Sequence, residues 1–212
     1  MIDLHVHSIF SDGELIPSEI ARRLESLDYK AVCIADHADL SNLSSVIEKL
    51  WKFAEEREEY GVKVLVGVEI THVPPKLIGK VVRKAREEGA EVIVVHGETI
   101  VEPVAKGTNF AAVQEDIDIL SHPGLVDEKT AELAAENGIC FEITTRKGHC
   151  LTNGYVAKIA KEYGVKLVLN TDAHSPSDFV SKDFAEKVAK GCNLDLEELL
   201  KNSRSIVRRK KV

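Results

Sequence analysis

The stretch M-I-D-L-H-V-H-S-I-F-S-D-G, residues 1–13, decides how the chain is read. It opens as a short apolar strand over residues 2–5 and ends in a turn. A doubly wound nucleotide-binding fold would carry a glycine-rich turn here, G-x-G-x-x-G or G-x-x-x-x-G-K-[ST]. Neither is present. Instead the stretch holds His5 and His7, two apart, so both rings point to one side of a strand.

Downstream, short β-type runs alternate with helical patterns. Strands are expected at residues 2–5, 31–35, 63–68, 91–95, 117–120, 139–143 and 166–169. Helices are expected at 17–27, 43–60, 75–88, 110–114, 128–137, 154–163, 177–190 and 194–202. Pro17 suits a first helical turn, and Gly61, Gly89, Gly138 and Gly164 stand where helices should stop. Leu50, Trp51 and Phe53 read as core packing within a charged helix. About seven β-α units with short buried strands predict a parallel sheet clothed in helices. Without the glycine-rich turn, a barrel is favoured over an open sheet. No linker or low-complexity segment divides the chain, so a single domain over residues 1–212 is expected. Residues 204–212 read as a solvated basic tail.

The 212 residues are 44% hydrophobic, enough to bury a sizeable core, and carry a net charge of −7. That balance argues against long nucleic acid and anionic membrane as partners. It leaves open a small anionic substrate at a locally positive site. No apolar run approaches the roughly 18 residues of a membrane span. The opening motif leaves no room for a signal peptide. Cys33, Cys140, Cys150 and Cys192 form no C-x-x-C pair and read as reduced thiols in a cytoplasmic protein.

Six of the eight histidines fall at C-terminal ends of expected strands: His5, His7, His37, His96, His122 and His174. Glu69 and Asp172 stand at equivalent places. In a β/α barrel those ends share one face, where active sites are built. A lone histidine there is more often an ordinary hydrogen-bonded polar residue. Six at matching positions would be a costly concentration of polar groups unless something bound them. Imidazoles and carboxylates suit Zn²⁺, Mn²⁺ or Fe. About nine such groups are too many for one ion, so two or three are expected, with Glu69 able to bridge a pair. His72 and His149 are either ordinary loop residues or face the substrate. Asp36 either orients His37 or belongs to a turn. Asp3 is read as structural.

Together, D-L-H-V-H-S-x-x-S-D-G, A-D-H, G-V-E-I, S-H-P-G and T-D-A-H resemble the polymerase and histidinol phosphatase (PHP) family, over residues 3–175. The resemblance implies a distorted TIM-like (β/α)₇ barrel with two or three divalent ions, Zn, Mn or Fe with Mg also compatible. It implies one ion held by His5, His7, Glu69 and Asp172, and a second sharing Glu69 with His96 and His122. A third would take Asp12, His37 and His174; some members have histidine near the position of Asp12. T-T-R-K-G-H, residues 144–149, resembles the region where an arginine, here Arg146, meets the phosphate. Lys147, His149 and His72 are added as substrate contacts by proximity alone.

The expected function is a metal-dependent phosphoesterase for a small phosphorylated substrate, a histidinol-phosphatase-like phosphomonoesterase. Glu69, Arg146 and Asp172 carry the reaction. The attacking group is a metal-bridging hydroxide, its water acidified from ~15.7 toward ~7. One alternative is a phosphodiesterase or nuclease for nucleotides or short oligonucleotides. Another is a non-catalytic metal-binding module of a larger complex, against which the intact ligand set argues. Oligomeric state is not encoded legibly.

Overall fold

In the computed structural model, which describes residues 1–209, seven strands alternate with helices. The strands are β1 (Ile2–Val6), β2 (Ala31–Ala38), β3 (Lys63–Ile70), β4 (Val92–His96), β5 (Ile119–Ser121), β6 (Cys140–Thr144) and β7 (Leu167–Asn170). The helices are α1 (Pro17–Ser26), α2 (Leu43–Ala54), α3 (Pro75–Glu87), α4 (Thr108–Ala112), α5 (Glu128–Asn137), α6 (Asn153–Tyr163), α7 (Lys182–Gly191) and α8 (Leu196–Arg209). The strands run parallel in sequential order, β1 through β7, in one nearly closed sheet. This is the expected single-domain α/β barrel with seven strands.

The strands are apolar and buried along nearly their whole length, as strands covered on both faces must be. The helices bury one stripe each; α3 turns Ile78, Val81, Val82 and Ala85 inward at three- and four-residue spacing. Among the described residues no helix is long and apolar enough to cross a membrane.

The seam between β1 and β7 is closed mainly by side chains. One bridge joins Val6 to Ala173, where the His7 amide donates to the Ala173 carbonyl at 2.9 Å. Below it, the Leu4 amide donates to Asn170 Oδ1 at 2.9 Å, and Thr171 Oγ1 donates to Asp3 Oδ2 at 2.6 Å. Asp3 is fully buried, which pushes its carboxyl up to about 7. Its structural reading agrees with these contacts.

Several segments differ from the sequence expectation. The helix expected over 43–60 stops at Ala54, and only a 3₁₀ turn, Arg57–Glu59, follows. The run E-E-R-E-E offers no apolar stripe to bury, so helical propensity there has no tertiary support. Arg57 instead reaches back to Glu91 Oε2 at 3.0 Å. The helix expected over 177–190 splits into a 3₁₀ turn, Pro176–Asp178, and α7, with a Ser175–Asp178 capping box on the first and a Ser181 cap on the second. The third difference is the basic stretch from residue 204, expected to be solvated. In the structure α8 continues to Arg209, packs over β7 and β1, and buries Ser203, Ile206 and Val207. The signal is Ile206 and Val207 standing seven residues after Leu199 and Leu200, two helical turns on the same stripe; the surrounding arginines mask it. Residues 210–212 lie outside the described part.

Ile206 tests this correction. Ile206→Ala is expected to lower unfolding free energy by about 2–5 kcal/mol in a denaturant titration. A change within about 0.5 kcal/mol would be the behaviour of a solvated tail.

Candidate metal centre

Every strand brings a polar side chain to the C-terminal mouth. His5 is the penultimate residue of β1 and His7 follows the strand; His37 and Glu69 lie near the ends of β2 and β3; His96 ends β4. His122 follows β5, Glu142 lies in β6, and Asp172 and His174 follow β7. His72, His122 and Asp172 adopt left-handed backbone, with φ of 52°, 24° and 52°. Such conformations strain residues other than glycine and gather where a side chain must be aimed.

The geometry centres on two buried carboxylates. Glu69 Oε1 lies 3.2 Å from His5 Nε2 and 3.7 Å from His122 Nε2, and accepts from Ser121 Oγ at 2.8 Å. Glu69 Oε2 lies 2.8 Å from His37 Nδ1 and 3.7 Å from His7 Nε2. Asp172 Oδ1 lies 3.2 Å from His7 Nε2 and 3.7 Å from His5 Nε2, and its Oδ2 lies 3.6 Å from His122 Nε2. On the outer side Asp12 Oδ1 meets His174 Nε2 at 3.3 Å and His37 Nε2 at 3.5 Å.

Burial opposes the charge of Glu69, but His5, His96 and His37 outweigh it and hold the carboxyl well below its usual range. Asp172 is likewise lowered against burial, by His5 and His7. Burial keeps His7 neutral, down to about 3, and lowers His122 well below its ordinary value. His5 goes the other way: burial opposes its charge, yet Glu69, Glu142 and Asp172 raise it.

These residues fit divalent ions. Donors bound at 2.0–2.1 Å around a tetrahedral ion lie ~3.3 Å apart, and the spacings above bracket that value. His5 Nδ1 lies 2.9 Å from Glu142 Oε2, a pairing that would leave Nε2 to serve an ion at the centre. His7 Nε2 faces that nitrogen at 3.0 Å. Two imidazole nitrogens and two carboxylates aimed at one another form a donor set that a divalent cation fits. His7, Asp12, His37 and His174 form one group of mutually close donors; His5, Glu69 and His122 form another, and His5, His7 and Asp172 a third.

Other expectations divide. Asp36 does not orient the His37 ring. It accepts from the Ser8 amide at 2.8 Å, Ser8 Oγ at 2.7 Å and Ser11 Oγ at 2.6 Å, and so pins the loop that carries Asp12. Arg146 lies at the rim, its Nη1 3.2 Å from Asp178 Oδ2, which also accepts from the His174 amide at 3.0 Å. Lys147 is exposed and joins none of the contacts that tie the cluster together. His149 stacks on His122 with centroids 4.2 Å apart. His96 Nε2 faces Glu102 Oε2 at 3.1 Å.

Sequence reasoning missed Glu142 and Glu102. Glu142 had a signal, a charge inside the apolar run C-F-E-I-T. Glu102 had none, because it lies in a loop whose path only the fold sets.

Against this geometry the comparison with known proteins is direct. The PHP domain profile matches residues 3–191. The chain belongs to the PHP domain family. This PHP domain is similar to an uncharacterized protein of Methanocaldococcus jannaschii, 52% identical and covering 93% of this chain and 92% of that one. It is 27% identical to ribonuclease P protein component 3 of Methanosarcina mazei, over 93% of this chain and 83% of that one. Its fold resembles a histidinol phosphate phosphatase from Lactococcus lactis, solved with zinc, L-histidinol and phosphate. The TM-score is 0.67 at 15% identity, covering 92% of this chain and 94% of that one.

In this PHP domain Glu142 Oε2 also accepts from Asn170 Nδ2 at 2.8 Å. Glu142→Gln is expected to weaken divalent-ion affinity about 10–100-fold, measured by chelator competition, with the ligands themselves untouched. Unchanged affinity would mean that Glu142 serves only the seam.

Proposed function

We propose that the chain is a metal-dependent phosphoesterase for a small phosphorylated substrate, a phosphomonoester of the histidinol phosphate type. The observation that carries the reading is the pair Glu69 and Asp172, buried, ionised and ringed by imidazole nitrogens at donor spacing. The family supports it, as does the likeness in fold to a phosphatase solved with zinc and phosphate.

His5, His7, Glu69 and Asp172 would hold one ion, Glu69 with His96 and His122 a second, and Asp12, His37 and His174 a third. The ions would be Zn, Mn or Fe, with Mg also suited by the carboxylates. Such ions polarise phosphoryl oxygens and acidify water to near neutral pH. The chain itself supplies neutral imidazoles, kept so by burial at His7 and His122. It also supplies a guanidinium at the rim. Arg146 is steered by Asp178 toward the His174 side of the mouth, where a bound phosphate would meet its fork. His149 lies beside the centre with its Nδ1 paired to Thr99 Oγ1 at 2.8 Å, within reach of a leaving oxygen.

The similarity to ribonuclease P protein component 3 favours a second reading, in which the chain serves as a protein component of a larger assembly. Substrates separate the two. Purified protein is expected to carry at least two divalent ions per chain by elemental analysis. It should hydrolyse p-nitrophenyl phosphate in preference to its bis-ester or a single-stranded oligonucleotide. Glu69→Gln should lower turnover by on the order of 10²-fold or more with the circular dichroism spectrum kept. Turnover without metal would remove the mechanism; metal-loaded protein silent on all three substrates would favour the component reading.

A further inference from the structure

The most exposed apolar side chains gather on one side of the mouth. Leu151 and Leu125, 69% and 65% exposed, lead the large apolar residues among the described residues, and Ile100 follows at 54%. They stand on the loops after β6, β5 and β4, and Val101 and Tyr155 are exposed beside them. A single exposed leucine is ordinary, whereas a contiguous apolar patch on a folded chain marks a contact surface.

The three loops are locked together. Thr99 Oγ1 and His149 Nδ1 lie 2.8 Å apart. The Val101 side chain covers Gly148, 3.6 Å from where a Cβ would stand. Gly124, at φ +65°, lies so close to the Glu98 carbonyl that any side chain there would collide with it. Tyr155 Oη donates to the Val126 carbonyl at 3.0 Å. Glu98 Oε1 accepts from the amides of Gly107 and Asn109, both at 3.0 Å, which fixes the span carrying Ile100 and Val101. The patch is a preformed surface.

Its charges follow a pattern. Leu125 and Tyr155 line a hollow of about 610 Å³ together with Asp127, Glu128, Lys129 and Glu132 at the head of α5. The Lys129 ammonium is turned onto the Phe110 ring, 4.5 Å from its centroid. Among the described residues neither Glu128 nor Glu132 pairs with a lysine or arginine. The hollow is therefore apolar on one side and acidic on the other. Its complement is an apolar knob followed by a free cation. The 3₁₀ turn His149–Thr152 runs straight into α6, so Leu151, Tyr155 and Lys158, at i, i+4 and i+7, share one face. Lys158 is exposed and has no carboxylate partner among the described residues. The chain thus carries both halves of the contact side by side, as a two-fold interface requires.

We propose that this face joins two copies of the chain in a two-fold dimer. Leu151 of each copy enters the hollow beside Leu125 and Tyr155 of the other, and Lys158 of each comes to Glu132 of the other. The five apolar side chains supply a core on the order of 400 Å² per copy, about half of what a standard interface buries on each side, with a charged rim around it. The acidic flank repels an anionic membrane, the other surface that an apolar patch could enter. None of the residues that would hold ions takes part, so the dimer stands apart from the phosphoesterase reading.

Sedimentation velocity of the full chain tests the dimer. Wild type is expected to dissociate at roughly 1–50 µM, the weak end of specific interfaces, and to run at twice the chain mass above that range. Leu151→Asp and Leu125→Asp should each weaken association at least about 100-fold, because the contact would bury a carboxylate. Phe184→Asp, at an apolar residue of α7 that is 49% exposed, should leave association unchanged. Lys158→Glu should weaken it about three- to tenfold, and adding Glu132→Lys should restore it. These side chains are exposed, so thermal melting at dilutions where every variant is monomeric should match wild type. A wild type still monomeric about tenfold above the expected range would overturn the proposal and leave the face to a different partner. So would a dimer that survives both leucine changes. A double charge exchange that fails to restore association would overturn the two-fold pairing.

Discussion

Two carboxylates, Glu69 and Asp172, sit at the mouth of the barrel almost wholly withdrawn from water. A buried carboxylate is tolerable only when opposite charge and hydrogen bonds replace its hydration. That requirement organises the site. His5, His7, His37 and His122 converge on the pair, Ser121 adds a hydroxyl, and Asp12 collects the outer rings of His37 and His174. Proton sharing satisfies this set only in part. His7 and His122 are kept neutral by burial, and the Nδ1 of each has no protein partner. Divalent cations are the counter-charge that the donor chemistry fits.

The same constraint reaches into the barrel wall. Glu142 orients His5 and also accepts a hydrogen bond from Asn170 Nδ2, while Asn170 Oδ1 accepts from the Leu4 amide of β1. One chain of contacts thus closes the β1–β7 seam and sets the tautomer of a central imidazole. Asp36 does the equivalent for the first loop, fixing Ser8 and Ser11 and thereby Asp12. Buried polar groups away from the mouth earn their place by holding the mouth in shape.

Much of this was legible in the sequence. His5 and His7 announce themselves because a strand period of two puts both rings on one face. The recurrence of His37, Glu69, His96, His122 and Asp172 at strand ends follows from the β-α repeat. Glu142 is visible only as a charge in an apolar run, because it lies in the middle of its strand rather than at the end. The long helix expected past Ala54 failed where the run E-E-R-E-E has nothing to bury. The tail failed in the opposite sense, because Ile206 and Val207 pack while their arginine neighbours suggest solvent.

The sequence by itself determined the seven-unit β-α order, the barrel, the family and the side chains that can bind ions. These follow from periodicity and from residue types at fixed offsets, which are local properties. Only the tertiary structure decided which donors meet: that Asp36 serves Ser8 and Ser11 rather than His37, that Glu142 backs His5, and that Glu102 faces His96, His72 and His149. Each of those meetings joins segments far apart in the chain. The geometry comes from closing the sheet and from the path of a loop pinned by Glu98 and Asn109. Spacing along the chain carries no record of such a path.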